Sequence, residues 1–198
     1  GFAGYMDRIG AADALVKICI KPLNKLHQPY LVMVLAYLIG QMLIQVIPSA
    51  AGLAMLLLVA LLPILKGVGV TPASAGAVIA CTAGLTFAPT AGTANLAAKI
   101  AGVDPIVYAV QYQWPVALVT LVAVSIAHFF VQRYYDKKND EVYAEAAEIK
   151  KVLVEAPAWY AVFPVLPIVL LVIFSKFFVS GIKLNTVSAL MLVWFVAV

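Results

Sequence analysis

Two short polar stretches interrupt long apolar runs of this sequence, and their residue types suit the binding of a small anion. The first lies at residues 48–52 and contains Ser49, and the second lies at residues 89–93 and contains Thr90 and Thr93. Hydroxyls and free backbone N–H groups at a helix N-terminus are donors for carboxylates, and the helix dipole favours negative charge there. The two stretches therefore predict a carboxylate-binding site.

The second break gives the more specific prediction. A helix that restarts at residues 91–94 would direct its N-terminus at the anion, and Ser49, Thr90 and Thr93 would add hydroxyl donors. The predicted substrate-binding residues are Ser49, Ala50, Gly52, Pro89, Thr90, Gly92, Thr93 and Asn95. One proline-kinked membrane helix would more often serve packing alone, but two such breaks favour a secondary transporter, whose substrate sites are built from broken helices.

Other polar residues in the apolar runs each allow two interpretations. Gln41 and Gln45 either hydrogen-bond a neighbouring helix or line the same cavity. His128 is either a hydrogen-bonding residue of the bundle or a proton relay, and the first role is the more common. Lys99 either extends to the outer interface or attracts an anionic substrate. The sequence has no Ser/His/Asp set, phosphate loop or metal-ligand cluster, so we expect neither an enzyme nor a cofactor.

The composition indicates a membrane protein. Of the 198 residues, 65% are hydrophobic and 11% are charged. Soluble domains are about half apolar and about a quarter charged, so a soluble enzyme, a disordered segment and a disulfide-stapled module are excluded. Because the chain lacks an initial Met and stops within an apolar run that is short for a span, we expect a piece of a longer transporter or channel.

Apolar runs and breaks divide the chain into seven segments. They are an interfacial amphipathic segment (1–29), a re-entrant hairpin (30–65), a broken transmembrane helix (73–100), a transmembrane helix (115–132), a cytoplasmic loop (133–157), a transmembrane helix (158–174) and a truncated transmembrane helix (184–198). The hairpin is preferred to two complete spans because its second arm, residues 53–65, would be only about 20 Å long as a helix.

The broken helix carries two further patterns. Small residues recur every four positions, at Gly76, Ala80, Gly84, Ala88 and Gly92. This spacing predicts one helical face on which a neighbouring helix approaches closely. Pro89 removes a backbone donor and clashes with the preceding turn, so the helix is expected to break around residues 89–92.

The distribution of basic residues predicts an orientation. If the segments cross as described, ten of the 13 Lys and Arg residues fall on the side of residues 7–29 and 133–155, and Lys99, Lys176 and Lys183 fall on the other. Cytoplasmic loops are rich in Lys and Arg, so the 133–155 region is predicted to be cytoplasmic. Two full spans at residues 30–65 would give the same count as one hairpin.

Several motifs, in their order and spacing, carry a resemblance to a known family. They are Gly1-Phe2-Ala3-Gly4-Tyr5-Met6, Ile9-Gly10-Ala11, Lys21-Pro22-Leu23, Pro29-Tyr30-Leu31, Ser49-Ala50-Ala51-Gly52-Leu53, Ala88-Pro89-Thr90-Ala91-Gly92 and Ile126-Ala127-His128-Phe129-Phe130-Val131-Gln132-Arg133-Tyr134. Together they resemble the N-terminal half of the anaerobic C4-dicarboxylate carrier family (DcuC type), over residues 1–140 and more loosely through residues 156–160.

The resemblance implies an all-α integral membrane fold, part of a polytopic transporter and one half of an inverted repeat, with a re-entrant helical hairpin and a broken transmembrane helix. It implies a multi-pass carrier of the bacterial inner membrane that exchanges or exports dicarboxylates such as succinate, fumarate and malate during anaerobic growth. Its partners would be the dicarboxylate and the lipid bilayer, without nucleic acid. A coupling proton or sodium ion and a homodimer stay open.

Two other functions compete with this interpretation. A relative of the same fold that moves basic amino acids would require acidic side chains near the breaks, and none lies between residues 30 and 100. A channel or a scaffolding subunit would require a continuous polar lining instead of two converging breaks.

Overall fold

A computed structural model describes residues 2–47, 49–138, 156–174 and 186–197, and within these ranges the regular structure is entirely helical. The α-helices are α1 (Phe2–Arg8), α2 (Ala11–Ile20), α3 (Pro29–Val46), α4 (Ala50–Gly67), α5 (Pro72–Cys81), α6 (Gly92–Ala101), α7 (Pro105–Tyr108), α8 (Trp114–Lys138), α9 (Val162–Ile173) and α10 (Thr186–Ala197). Short 3₁₀ turns lie at Lys21–Lys25 and Ala158–Ala161, and a π-helical turn at Ala109–Gln113 joins α7 to α8.

The core lies where α3, α4 and α5 pack together, joined by α2 and one face of α8. The large side chains fully buried there include Tyr37, Leu43, Leu53, Leu57 and Ile79. The ends of these helices follow their sequence. Pro29 and Pro72 stand in the first turns of α3 and α5, where a missing N–H costs nothing, and Ser49 and Thr71 cap α4 and α5.

The predicted short second arm is wrong. Helix α4 begins at Ala50 and ends at Gly67, so it has 18 residues, as α3 does. Each is about 27 Å long at 1.5 Å per residue, close to the thickness of the hydrocarbon core. Residues 50–52 are helical because Ser49 caps them, and Pro63 is tolerated inside the helix. Helix length therefore does not separate a re-entrant hairpin from two spans.

The helix predicted to break near Pro89 ends earlier. Helix α5 stops at Cys81, and residues 82–91, called the irregular segment below, are non-helical until α6 begins at Gly92. The predicted small-residue face is also wrong, because its members do not share one helix. A Cβ added at Gly76 or Gly92 would meet nothing within 4 Å.

The close approach occurs elsewhere. A Cβ added at Gly40 of α3 would collide with the side chain of Thr82 and would lie 3.3 Å from Leu57 Cδ1. Thr82 is buried at this point and donates a hydrogen bond to the Ile79 carbonyl oxygen. Gly40 therefore permits the start of the irregular segment to pack onto α3.

Within the described residues, three helical stretches are long and apolar enough to cross a membrane: Pro29–Val46, Ala50–Gly67 and Pro105–Lys138. The third is 34 residues long and continues past the predicted end at residue 132, into the region predicted to be a loop. Asp136 near its end accepts hydrogen bonds from Thr71 Oγ1 (2.7 Å) and Ser74 Oγ (2.6 Å), which fix it to the N-terminus of α5. Residues 139–155 of that predicted loop, which was to end at residue 157, lie outside the described residues.

The N-terminal segment packs against the bundle. The side chains of Ala12, Val16 and Ile20 on α2 belong to the core, and Asp13 of the same helix is buried. Its predicted position in the membrane interface stays a prediction. Helix α10 contacts α1, where Tyr5 donates a hydrogen bond to the Ala197 carbonyl oxygen. Residues 175–185, which include Lys176 and Lys183 of the charge count, fall outside the described part of the chain.

Candidate functional site

One cavity of about 340 Å³ lies between the two predicted breaks. It is lined by Ile44 and Gln45 at the end of α3, Ala50 of α4, Ala83, Thr86, Ala88, Thr90 and Ala91 of the irregular segment, and Gly92 and Thr93 of α6. Its volume is in the range of small-ligand sites, ~300–1,000 Å³. The structure therefore brings four of the eight predicted site residues, Ala50, Thr90, Gly92 and Thr93, to a single cavity.

The N-terminus of α6 opens onto this cavity. Ala91 stands at its N-cap position, and no side-chain cap hydrogen bond is formed there by the described residues. The first N–H groups of an α-helix have no partner within the helix, and the positive end of its dipole lies there. Thr90 and Thr93, next to this end of the helix, also line the cavity and carry hydroxyl groups. The arrangement can bind a carboxylate with neutral donors alone.

Two predicted site residues, Ser49 and Gly52, instead form the N-terminal cap of helix α4. Ser49 Oγ accepts the Gly52 N–H at 3.2 Å, which caps the helix. A Cβ at Gly52 would lie 2.9 Å from Ser49 Oγ, so glycine is needed for this turn. Neither residue lines the cavity. Pro48 lies outside the described residues.

Pro89 and Asn95 have a supporting role. Asn95 Nδ2 donates to the carbonyl oxygens of Pro89 (2.8 Å) and Ala91 (2.9 Å), and so fixes the turn that leads into α6. Pro89 is buried, and neither residue lines the cavity. They position Thr90 and Gly92 instead of facing the space where a substrate would bind.

The irregular segment is attached to α3 and α8 by side-chain hydrogen bonds. Gln45 accepts the Phe87 N–H at 2.7 Å and donates to the Leu85 carbonyl oxygen at 3.1 Å. Gln113 and Trp114 donate to the carbonyl oxygens of Thr86 and Phe87. Backbone groups that no helix pairs are satisfied in this way.

Gln41 and Gln45 therefore have different roles. Gln41 Nε2 donates to the Cys81 carbonyl oxygen and its side chain does not line the cavity, whereas Gln45 both hydrogen-bonds the irregular segment and lines the cavity. The hydrogen bond to a neighbouring helix is confirmed for Gln41, which binds the last residue of α5, and cavity lining is confirmed for Gln45.

The electrostatic setting of the cavity is neutral, because none of the described residues that line it carries a charged side chain. Lys99 is exposed near the end of α6, about 10 Å along the helix from Gly92. Asp104 caps α7 by accepting the Ile106 N–H at 2.9 Å. The described residues contain no group of His, Cys, Asp or Glu side chains that could hold a metal ion.

Two polar residues near the site were not predicted from the sequence. Thr86 lines the cavity and could have been identified from its four-residue spacing to Thr90. Asp7 of α1 lies beside the first break, since a Cβ at Gly52 would be 3.6 Å from its Oδ2. Asp7 is about 45 positions away in sequence, and only the fold brings it there. An acidic group therefore does lie near one break, although it does not line the cavity.

Comparison with known proteins gives a family match over the whole chain. The family model for the C4-dicarboxylate anaerobic carriers, DcuC, matches residues 1–198. The anaerobic C4-dicarboxylate transporter DcuC of Escherichia coli (strain K12) is 38% identical over 175 residues, which are 88% of this chain and 38% of that protein. A probable anaerobic C4-dicarboxylate transporter DcuC of Vibrio cholerae is 35% identical over 198 residues, 100% of this chain and 43% of that protein. The chain spans less than half the length of either relative, and no solved structure matches it significantly.

Proposed function

The chain belongs to the C4-dicarboxylate anaerobic carrier family, and we propose that its cavity is part of the substrate site of a secondary transporter. The substrates would be C4-dicarboxylates such as succinate, fumarate and malate, moved across the bacterial inner membrane by exchange or efflux. The name of the relatives supports this substrate class, and the apolar helices support a multi-pass membrane position.

The observation that carries the proposal is the convergence of two helix breaks on one neutral cavity. One carboxylate of a diacid would bind the uncapped N-terminus of α6, together with the hydroxyls of Thr90 and Thr93. Neutral hydrogen bonds hold an anion without a full countercharge, and this suits a carrier that must release what it binds.

We further propose that helices α3 and α4 form a re-entrant hairpin in one half of an inverted repeat. The long helix Pro105–Lys138 supports this. Its charge-free part, residues 105–132, is ~42 Å long, and Gln113 and Trp114, which bind the irregular segment, lie ~13 Å inside its outer end. The hairpin turn and the cavity would then lie below the outer surface of the membrane.

Competition in membrane vesicles tests the substrate class. The full-length protein would be assayed for uptake of labelled succinate with unlabelled fumarate, malate, monocarboxylates or arginine as competitors. Fumarate and malate should compete, whereas monocarboxylates and arginine should compete poorly. If arginine competes and fumarate does not, a basic amino acid is the substrate, and Asp7 beside the first break would be its first candidate partner.

A further inference from the structure

His128 is a buried ionisable residue that does not line the cavity. Its side chain is 6% exposed, and its Nε2 has no hydrogen-bond partner in the described part of the chain. The hydrogen-bonding role expected from the sequence is therefore not seen at this atom. The ring of His128 on α8 instead faces the ring of Tyr37 on α3, with 5.1 Å between centroids.

A buried polar atom without a partner is costly, and an ionisable residue inside a membrane helix is costly as well. Such residues are usually present for a function. The aromatic ring of Tyr37 lies within the distance at which an aromatic face stabilises a cation, about 6 Å. The position can therefore accept a protonated imidazole.

A stripe of polar side chains on α3 leads from this pair to the cavity. Tyr37, Gln41 and Gln45 follow each other by one helical turn and so lie on one face. Gln45 Nε2 donates to the backbone carbonyl oxygen of Gln41 at 2.8 Å and lines the cavity. Gln41 is fully buried, and its Oε1 has no hydrogen-bond partner among the described residues.

Few titratable groups face His128. From α3 the facing group is Tyr37, and the titratable residue of α5 is Cys81 at its end. On α8 itself, Arg133 and Asp136 lie about one and two turns further along. Arg133 packs over the ring of Tyr30, and Asp136 is bound by Thr71 and Ser74, so both have other contacts.

We propose that His128, paired with Tyr37, is the proton-binding residue that couples proton movement to dicarboxylate binding. The inference rests on the proposed function. In the binding step a proton from the solution adds to the unprotonated ring nitrogen, the ring becomes a cation, and the same proton returns to solution when the site empties.

The expected size of the coupling follows from distance. His128 packs against Tyr37, and Gln45 lines the cavity. Tyr37 and Gln45 are separated by ~12 Å along α3, and we take this as the distance between the charge and a bound carboxylate. At an effective dielectric constant of about 20, a unit charge at this distance from a carboxylate changes its affinity about tenfold. Protonation of His128 should therefore tighten binding of a dicarboxylate about tenfold for each carboxylate at that distance. By reciprocity, substrate binding tightens proton binding by the same factor.

The experiment measures fumarate affinity of the purified full-length protein at about pH 6 and about pH 8, the range in which histidine usually titrates. Fumarate stays a dianion over this range. At the lower pH the wild type should bind fumarate more tightly, by a factor of about ten or more. His128→Asn should bind with one affinity at both pH values, and the control His27→Asn, at an exposed histidine, should behave as wild type.

A second variant keeps the proposal testable if the His128→Asn protein does not fold. Tyr37→Leu keeps His128 but removes the ring beside it, so the pH at which affinity changes should move to a lower value. An unchanged pH response in both variants would overturn the proposal, and so would an unchanged response in Tyr37→Leu if His128→Asn does not fold. Equal wild-type affinity at both pH values would overturn this inference alone. Absence of any fumarate binding would refute the proposed function with it.

Discussion

At the residue scale, two threonines of the cavity and one glycine of the core have the clearest roles. Thr90 and Thr93 were predicted to be in the site, and both line the cavity. The small-residue pattern identified Gly76 and Gly92 as packing positions, yet a Cβ at either would meet open space, whereas one at Gly40 would collide with Thr82. A spacing of four residues shows which positions are small, but the partner of a helix face is set by tertiary packing.

We predict that Gly40→Ala destabilises the protein. The added Cβ would overlap the Thr82 side chain, and overpacking of this kind costs about 1–3 kcal/mol. Thermal unfolding of the detergent-solubilised protein should show a lower midpoint. Gly76→Ala is the matched control, since its Cβ has open space, and its midpoint should be unchanged or slightly higher. Equal losses for the two variants would show that the Gly40–Thr82 contact does not matter.

We predict that the Thr90 hydroxyl contributes directly to substrate affinity. A hydrogen bond to a charged group is worth about 1.5–3 kcal/mol, so Thr90→Val, which keeps the shape, should weaken succinate transport roughly 10- to 150-fold. Thr90→Ser keeps the hydroxyl and should stay close to wild type. The measurement is the KM for succinate in vesicles. If valine is tolerated as well as serine, the Thr90 hydroxyl is not a ligand.

At the element scale, the interruption of the second apolar run was foreseen but its length was not. Pro89 predicts a break at its own position, whereas the non-helical part begins at Thr82. Its backbone groups are satisfied by Gln45, Gln113 and Trp114, from helices distant in sequence. Such long-range hydrogen bonds leave no periodic signal, so helix rules alone extend α5 too far.

We predict that Gln45→Leu releases the irregular segment from α3. The Phe87 N–H and the Leu85 carbonyl would each lose a partner, at about 1–3 kcal/mol for each buried group left unpaired. Both the unfolding midpoint and succinate uptake should fall. The control is Gln111→Leu, an exposed glutamine with the same change in chemistry. Uptake that survives Gln45→Leu but not Gln111→Leu would contradict this attachment.

At the scale of the whole molecule, the family and its membrane character could be predicted from motifs and composition, while the path of the chain could not. Asp7 reaches Gly52 and α2 enters the core only because the helices pack in three dimensions. The basic residues nevertheless predict an orientation, which the asymmetry of ten against three favours strongly.

The orientation can be tested by one-sided labelling. In the full-length protein with all native cysteines replaced, including Cys19 and Cys81, a cysteine at Lys138 should react with a membrane-impermeant thiol reagent only from the cytoplasmic side. A cysteine at Ala101 should react only from outside. Both positions are exposed, so access through water is the variable. Labelling of both from the same side would refute one crossing between them.

The central claim, that both breaks contribute to one dicarboxylate site, is tested most directly by substrate protection in that same cysteine-free protein. Single cysteines at Ala50 of α4 and Thr93 of α6, which both line the cavity, should be labelled slowly, and succinate should slow both further. A cysteine at Ala101, at the far end of α6, should be unaffected by succinate. Protection at both cavity positions is the predicted result. Rapid labelling of both positions, unchanged by succinate, would contradict the account.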